Sequence, residues 1–293
     1  MRAKPFLKWA GGKTQLIDQI REQLPLNIIE QPFTFIEPFV GSGAMLFWML
    51  DNFPNLEHAV INDVNTDLTN CYLTIQNEVE NLIKILAEWE FELHNLSDNQ
   101  EEKKEYYYTK RTLFNQRNLE QTEQSALFIF LNRTCFNGLY RVNRKNEFNV
   151  PMGSYKRPQI CNVENLKLVS NALQNVTILN GDFSQTLEFA NENTFFYFDP
   201  PYKPLSETSS FNSYSKDEFC DNEQIRLAQF CERLNNENYS WILSNSDVKG
   251  KDPNNNFFDD LYANFNIHRV NARRSINANP EKRGKLTELL ITN

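Results

Sequence analysis

The sequence predicts an α/β protein: a mostly parallel sheet whose strand–helix alternation is interrupted, over roughly residues 70–157, by a helical module carrying a β-hairpin. Three observations predict this. Apolar runs such as TFFYF and YSWIL are continuous rather than alternating, as strands buried on both faces require. Such runs alternate with helical stretches before residue 70 and again after 160. Between those limits the apolar spacing becomes helical, then gives way to a turn-rich segment near residue 140.

The elements follow in order. TFIEPFV is an apolar strand, GSG a tight turn, AMLFWML an apolar helix, and HAVIND a second strand ending on Asp63. From about 70 to 135 the pattern is helical, with Ile75, Val79, Leu82, Ile83 and Leu86 on one face. LYRV and EFNV flank the polar loop NRKN between residues 139 and 150, a β-hairpin pattern. VTILNGDF, TFFYFDPPY, YSWILSNS and a terminal ELLIT then each read as a strand. The polar stretch from Lys203 to Lys216 reads as a long mobile loop. These boundaries divide the chain into a discontinuous sheet domain, 1–69 and 158–293, and a module, 70–157.

At 293 residues the chain can bury a full core, either as one large domain or as a domain with an insert. It has no run of 18 apolar residues and no basic-then-apolar leader, which argues against membrane insertion or secretion and for a cytoplasmic protein. Five cysteines without a CxxC pair read as reduced thiols, not a disulfide frame or a metal site. No metal is expected.

Net charge is −8, which taken alone argues against a nucleic-acid partner. The distribution argues the other way. Residues 133–157 and 266–285 each carry six Lys/Arg against one acid, and the first thirteen residues carry four basic groups and no acid. Phosphate contacts are local and screened beyond about 10 Å, so clustering outweighs the sum.

The stretch KWAGGKTQL looks like a nucleotide-binding P-loop until its spacing is counted. The glycine that loop requires falls on Leu7, and the preceding MRAKPF is basic and broken by Pro5 rather than a buried strand. A different ligand site lies at Glu37-Pro-Phe39-Val-Gly41-Ser-Gly43, where a strand turns into a helix. Two glycines let a ligand approach the backbone, and the helix N-terminus favours polar or anionic groups. The third glycine of a dinucleotide fingerprint is absent, because position 46 is Leu46. Asp63, at the tip of the next strand, is placed to accept from ribose hydroxyls. A ribose-bearing ligand without a pyrophosphate fits this pattern.

Asp199-Pro200-Pro201-Tyr202 follows the buried run TFFYF, at the strand edge where such sheets bind ligands. An exocyclic base amine is a poor nucleophile, since its lone pair is delocalised into the ring. A carboxylate and a backbone carbonyl accepting its two N–H groups hold it and stabilise developing positive charge. The prolines stiffen the turn and bring no N–H to compete. Tyr202 offers a ring for a base to stack on. Asp199, Pro200 and Tyr202 are the catalytic candidates.

In combination, FLKWAGGKTQL, FIEPFVGSGA, INDVN, NRTCFNGLYRVNRKNEFNVPMGSY, GDF, FDPPYKPLSETSSFNSY and LSNS resemble, in family order, the N6-adenine DNA methyltransferases of the Dam and DpnM type. The resemblance implies a Rossmann-like sheet that binds S-adenosylmethionine (AdoMet), with an inserted target-recognition module. It implies that Trp9 and Lys13 contact AdoMet, that Glu37, Phe39, Gly41 and Gly43 line its pocket, and that Asp63 holds the ribose. Asp182 and Phe183 would frame the adenine of the cofactor, and Asp199 would stand between cofactor and target amine. It further implies double-stranded DNA as partner, a flipped adenine as substrate, GATC as site, a monomer as the working unit, and room for a cognate restriction endonuclease in the same system.

By the same resemblance, residues 132–157 read the target. Phe136 is the candidate wedge into the base stack, with hairpin packing a nearly even alternative. Arg141 suits the bidentate contact to guanine O6 and N7. Leu139 and Pro151 suit thymine methyls, and Asn137, Asn143, Asn149 and Tyr155 suit phosphates or base edges. Relatives commonly carry arginine at the position of Ser154, so one phosphate contact is expected to be missing unless Lys156 or Arg157 substitutes for it. The stretch from Arg269 to Lys285 and the loop after Tyr202 are expected to line the DNA channel. C5-cytosine chemistry is disfavoured because no cysteine follows a proline, and N4-cytosine chemistry by the motif order.

Overall fold

The computed structural model describes residues 2–9, 16–96, 100–203, 219–272 and 286–293. Among these, ten α-helices surround one seven-stranded sheet. In chain order they are α1 (Ile17–Glu22), α2 (Leu26–Glu30), β1 (Phe33–Glu37), α3 (Ala44–Asn52), β2 (Leu56–Asp63), α4 (Thr66–Asn95), α5 (Gln100–Gln116), α6 (Gln121–Thr134), α7 (Val163–Ala172), β3 (Val176–Asn180), β4 (Thr194–Phe198), α8 (Asp221–Asn236), β5 (Ser240–Ser246), α9 (Val248–Lys251), α10 (Phe257–Leu261), β6 (Asn266–Ala272) and β7 (Leu286–Thr292).

The strand order is β3-β2-β1-β4-β5-β7-β6. The first five strands pair in parallel, and β7 runs antiparallel to both β5 and β6. The fold is Rossmann-like. Every residue of β1 and of β4 is buried, as their unbroken apolar runs predict. Period-two alternation sends neighbours to opposite faces. Phe35, Phe195 and Tyr197 pack in one core with α3 and α4, while Ile36, Phe196 and Phe198 pack in another with α8.

The chain order reverses at β1, which lies between β2 and β4. At such a switch point the connections leave in opposite directions and open a crevice beyond the carboxyl ends of the strands. Glu37 ends β1, Asp63 ends β2 and Asp199 follows the last residue of β4, so all three acids sit on that edge.

Two differences from the sequence expectation have clear causes. β6 escapes the sequence reading because it is an outer antiparallel strand whose residues are half exposed and polar; its pairing partner is 20 residues downstream. The hairpin is narrower than LYRV and EFNV suggest: Val142 and Phe148 form a single antiparallel bridge, flanked by Asn143 N–H to Glu147 O (2.9 Å) and Asn149 N–H to Arg141 O (3.1 Å). The α5 helix replaces the rest of the ladder with side chains. Asn115 accepts from Phe148 N–H (2.8 Å) and donates to Phe148 O (3.0 Å), and the Tyr107 hydroxyl donates to Val150 O (2.8 Å). A buried backbone needs partners but not strand partners.

Candidate functional site

The first wall of the crevice is the turn between β1 and α3. Gly41 (φ +49°) and Gly43 (φ +75°) lie in the left-handed region that glycine adopts without strain. A Cβ on Gly41 would come within 3.1 Å of the Trp9 indole, and one on Gly43 within 2.6 Å of the Tyr72 hydroxyl. Tyr72 donates to Gly41 O (3.0 Å) and fixes the turn from α4.

Asp63 closes the turn from the β2 side. Its carboxylate accepts from Gly41 N–H (3.2 Å) and Asn65 N–H (2.9 Å). Burial pushes its carboxyl up to about 6, opposed by these backbone bonds. Asn65 then caps α4 by accepting from Leu68 N–H. The acid at the strand tip and the helix start are thus parts of one polar joint.

Asn62, which the sequence reading did not single out, joins the turn to the third strand. It is 1% exposed, donates to Pro38 O (3.0 Å) and Gly181 O (3.0 Å), and accepts from the Gln185 amide (2.8 Å). Its position supplied the available signal: an amide on an otherwise apolar strand must find partners inside.

The GDF segment forms the next wall. Phe183 is 3% exposed and packs on Phe39 with ring centres 5.5 Å apart. Asp182 accepts a two-point fork from Arg226 (2.6 and 3.0 Å) and a bond from Ser184 N–H. That fork, before all else, holds the Asp182 carboxyl down at about 2. An adenine amine approaching Asp182 would share oxygens that already accept from arginine.

Asp199-Pro200-Pro201-Tyr202 is secured by three elements. From β5, the buried Ser244 hydroxyl donates to Asp199 Oδ1 (3.1 Å), and Ser246 Oγ donates to Lys203 O (2.9 Å). From α8, Gln224 Nε2 donates to Pro201 O (3.0 Å), and Asn245 Nδ2 donates in turn to Gln224 Oε1 (3.0 Å). Gln224 and Asn245 are both 0% exposed. From β7, Glu288 accepts from the Tyr202 hydroxyl (2.8 Å). Sequence reasoning listed LSNS but assigned no work to its residues, and Gln224 and Glu288 carried no signal at all.

Glu37 lies 2% exposed beneath this turn. Burial first, then the Asp199 carboxylate, push its carboxyl well above the usual carboxylate range. Its Oε2 is buried with no hydrogen-bond partner among the described residues. A buried, unpartnered oxygen beside a two-glycine turn and the Asp63 carboxylate fits a small polar cofactor that brings its own donors. Lys13 lies outside the described residues, as do residues 204–218 of the loop after Tyr202 and 273–285 of the second basic stretch. Arg269, the first residue of that stretch, lies on β6 and pairs with Asp259 (2.7 Å) and Asp247 (3.3 Å).

The hairpin sorts its residues by the pleat. Tyr140, Val142, Phe148 and Val150 are buried, while Arg141 and Pro151 are exposed and Leu139, Asn143 and Asn149 partly so. Every hairpin residue assigned to DNA therefore lies on the outer set. Arg141 Nε donates to Asn149 Oδ1 (2.7 Å), which leaves the two terminal nitrogens for a two-point contact of the kind guanine offers. Asn143 is engaged in the hairpin turn, accepting from Lys145 and Glu147 N–H and donating to Glu147. Phe136 is 51% exposed, pushed out by a turn in which Asn137 (φ +55°) and Gly138 (φ +64°) are both left-handed. Tyr155 lies under the Lys8 ammonium, 4.0 Å from its ring centre.

No helix among the described residues is long and apolar enough to cross a membrane, and no group of three or more His, Cys, Asp or Glu there could hold a metal ion. Comparison with known proteins agrees with the geometry. The chain is 48% identical to the type II methyltransferase M.MjaIII of Methanocaldococcus jannaschii, over the full length of both. It is 37% identical to the DNA adenine methylase of Haemophilus influenzae, covering 99% of this chain and 93% of that one. It is 32% identical to that of Escherichia coli, covering 98% and 94%. The family model for D12 class N6 adenine-specific DNA methyltransferases matches residues 9–276, and the chain belongs to that family.

Proposed function

We propose that this DNA adenine-N6 methyltransferase takes its methyl group from AdoMet and acts on an adenine flipped out of duplex DNA, within GATC. The arrangement of Asp199-Pro200-Pro201-Tyr202 at the switch crevice carries the reading. Its carboxylate is oriented by Ser244, its carbonyl turn by Gln224 and its ring by Glu288. Asp199 and the Pro200 carbonyl accept the two N–H groups of the target amine, pulling density onto nitrogen, and Tyr202 stacks on the base. A duplex base cannot reach a crevice of this kind without leaving the stack, which is the reason for flipping.

AdoMet supplies an electrophilic methyl group, so the amine needs no covalent enzyme intermediate. Trp9, Lys13, Glu37, Phe39, Gly41, Gly43, Asp63, Asp182 and Phe183 would hold it: Asp63 through ribose hydroxyls, Glu37 through its unpartnered oxygen. Residues 70–157 serve as the recognition module, with Arg141 reading a guanine and Phe136 wedging beside the displaced adenine. The palindrome offers one adenine per strand, so a monomer acting twice suffices. Likeness to a protein named a type II methyltransferase supports a place beside a cognate restriction endonuclease, and likeness to DNA adenine methylases supports GATC.

The test is transfer from labelled AdoMet into short duplexes, one containing GATC and the others single-base changes, followed by nucleoside analysis. N6-methyladenine confined to GATC, and lost in Asp199→Ala, is the expected result. Methylation of every duplex alike would overturn the site, and transfer surviving Asp199→Ala would overturn the mechanism.

A further inference from the structure

The turn Asp199-Pro200-Pro201-Tyr202 is fixed on both sides of its tyrosine without help from charge. Gln224 Nε2 donates to Pro201 O (3.0 Å) and Ser246 Oγ to Lys203 O (2.9 Å), so the residues before and after Tyr202 are each held by a neutral donor. Pro200 and Pro201 stiffen the backbone leading to it. With Tyr202 so placed, a neutral acceptor would satisfy its hydroxyl. The acceptor supplied is a carboxylate: the hydroxyl donates to Glu288 Oε2 at 2.8 Å.

That carboxylate comes from an unfavourable place for an acid. β7 lies inside the sheet between β5 and β6, with Glu288 opposite Ser246 on one side and Val270 on the other. The next three residues, Leu289, Leu290 and Ile291, are all buried, and Glu288 shares a face with Leu290. Ser246, across from it, is also buried. A charge at such a position carries a desolvation cost that a glutamine, which accepts equally well, would avoid. Desolvation first, then the Asp199 and Glu288 carboxylates, push the Tyr202 hydroxyl well above its usual range, so the phenol stays protonated and donates. A phenol donating to a carboxylate makes a charge-assisted bond. The proton is drawn toward the acid, and electron density gathers on the phenol oxygen and its ring.

We propose that Glu288 tunes methyl transfer through Tyr202, making the stacked ring electron-rich where positive charge develops on the target base. The inference rests on the assignment of Tyr202 as the ring against a flipped adenine. As the amine attacks, the N6–CH3 bond forms and the S–CH3 bond breaks, its electron pair staying on sulfur. Positive charge passes from sulfur to the amine and the base until a proton leaves N6 for water. An electron-rich ring face attracts that charge as it attracts any cation above it. The adenine is neutral before transfer, so the attraction is gained in the transition state and not on binding. That is the condition for a faster step rather than a tighter complex. Glu288 is a positioning residue, because it acts on the reaction only through the hydroxyl it holds.

The experiment compares Glu288→Gln, which keeps the shape and accepts the same bond without charge, with Tyr202→Phe, which keeps the ring and loses the bond. Single-turnover transfer from labelled AdoMet into a GATC duplex gives the rate, and calorimetry gives the AdoMet and duplex affinities. A duplex with 2-aminopurine in place of the target adenine reports the stack through its fluorescence. Glu288→Gln is expected to slow transfer about fivefold, the size of one altered cation–π contact, with both affinities and the fluorescence at wild-type values. Tyr202→Phe is expected to slow it equally, and the double variant no further. An unchanged rate in Glu288→Gln, additive losses in the double variant, or a loss of rate matched by a change in affinity or fluorescence overturns the tuning. Transfer at the wild-type rate in Tyr202→Leu overturns instead the stacking assignment beneath it.

Discussion

Replacing Gln224 by leucine probes how the catalytic turn is held. The substitution keeps side-chain volume but strips the donor from Pro201 O and the acceptor from Asn245 Nδ2, each bonded at 3.0 Å. Asn245 is 0% exposed, so its amide loses its partner without access to water, costing about 1–3 kcal/mol. Pro201 is exposed, and its carbonyl recovers part of its loss from solvent. The net expectation is about 2 kcal/mol of stability, less whatever the buried leucine methyls return. Ser244, Ser246 and Glu288 still anchor the turn, so Asp199 and Tyr202 shift rather than come free. A shift well under 1 Å at the reacting groups corresponds to about tenfold in rate, or about 1.4 kcal/mol of barrier. Denaturant midpoints and single-turnover methyl transfer measure the two effects separately, and AdoMet affinity is expected to stay at the wild-type value. A Gln224→Leu protein with both midpoint and turnover rate within twofold of wild type would refute the idea that this relay holds the turn.

Three further outcomes are expected. Asn62→Ala removes three hydrogen bonds joining the turn after β1 to the segment after β3 and costs about 3 kcal/mol, with a loss of AdoMet affinity expected from the proposed site; a denaturation midpoint equal to wild type would contradict it. Gly43→Ala places a methyl 2.6 Å from the Tyr72 hydroxyl and 3.0 Å from the Phe47 ring at φ +75°, for a loss of about 2–4 kcal/mol read by thermal melting, where a shift under one degree would count against it. Asp63, pushed up to about 6 by burial, favours folding in its protonated form: its contribution to stability is complete below the ordinary value of 3.8 and disappears as pH rises through about 6. With Asp63 as the proposed ribose acceptor, AdoMet affinity is expected to run the other way, falling by up to about tenfold per pH unit below 6 as the carboxylate is neutralised, and Asp63→Asn to flatten both profiles. Titrations from pH 5 to 8 check this, and an affinity independent of pH in wild type would remove Asp63 from the ribose.

The acids at the strand tips were legible because the chemistry sits on motifs that are also local structure. Asp63 ends a strand, Gly41 and Gly43 make a turn, and Asp199 follows a run of five buried residues. Near-neighbour sterics and burial settle such features, so spacing along the chain reveals them. The hairpin residues assigned to DNA were named from the family resemblance, and the structure shows that alternation places Arg141 outward and Tyr140 and Val142 inward. The supports were not legible. Gln224 reaches Pro201 across 23 positions, and Glu288 reaches Tyr202 across 86. Each is a polar side chain on an element whose sequence declares only its helix or strand character. β6 was hidden because an outer strand can leave half its surface polar, and the hairpin came out narrower because Asn115 and Tyr107 on a helix satisfy backbone that a longer ladder would otherwise pair. By itself the sequence determined the α/β class and the edge that bears the acids, because periodicity and short-range turn chemistry are local, while the family of reaction came from the resemblance carried by its ordered motifs. Only the tertiary structure decided what holds those acids in place, because a buried polar group takes whichever partner the packing brings within about 3 Å, however distant in the chain.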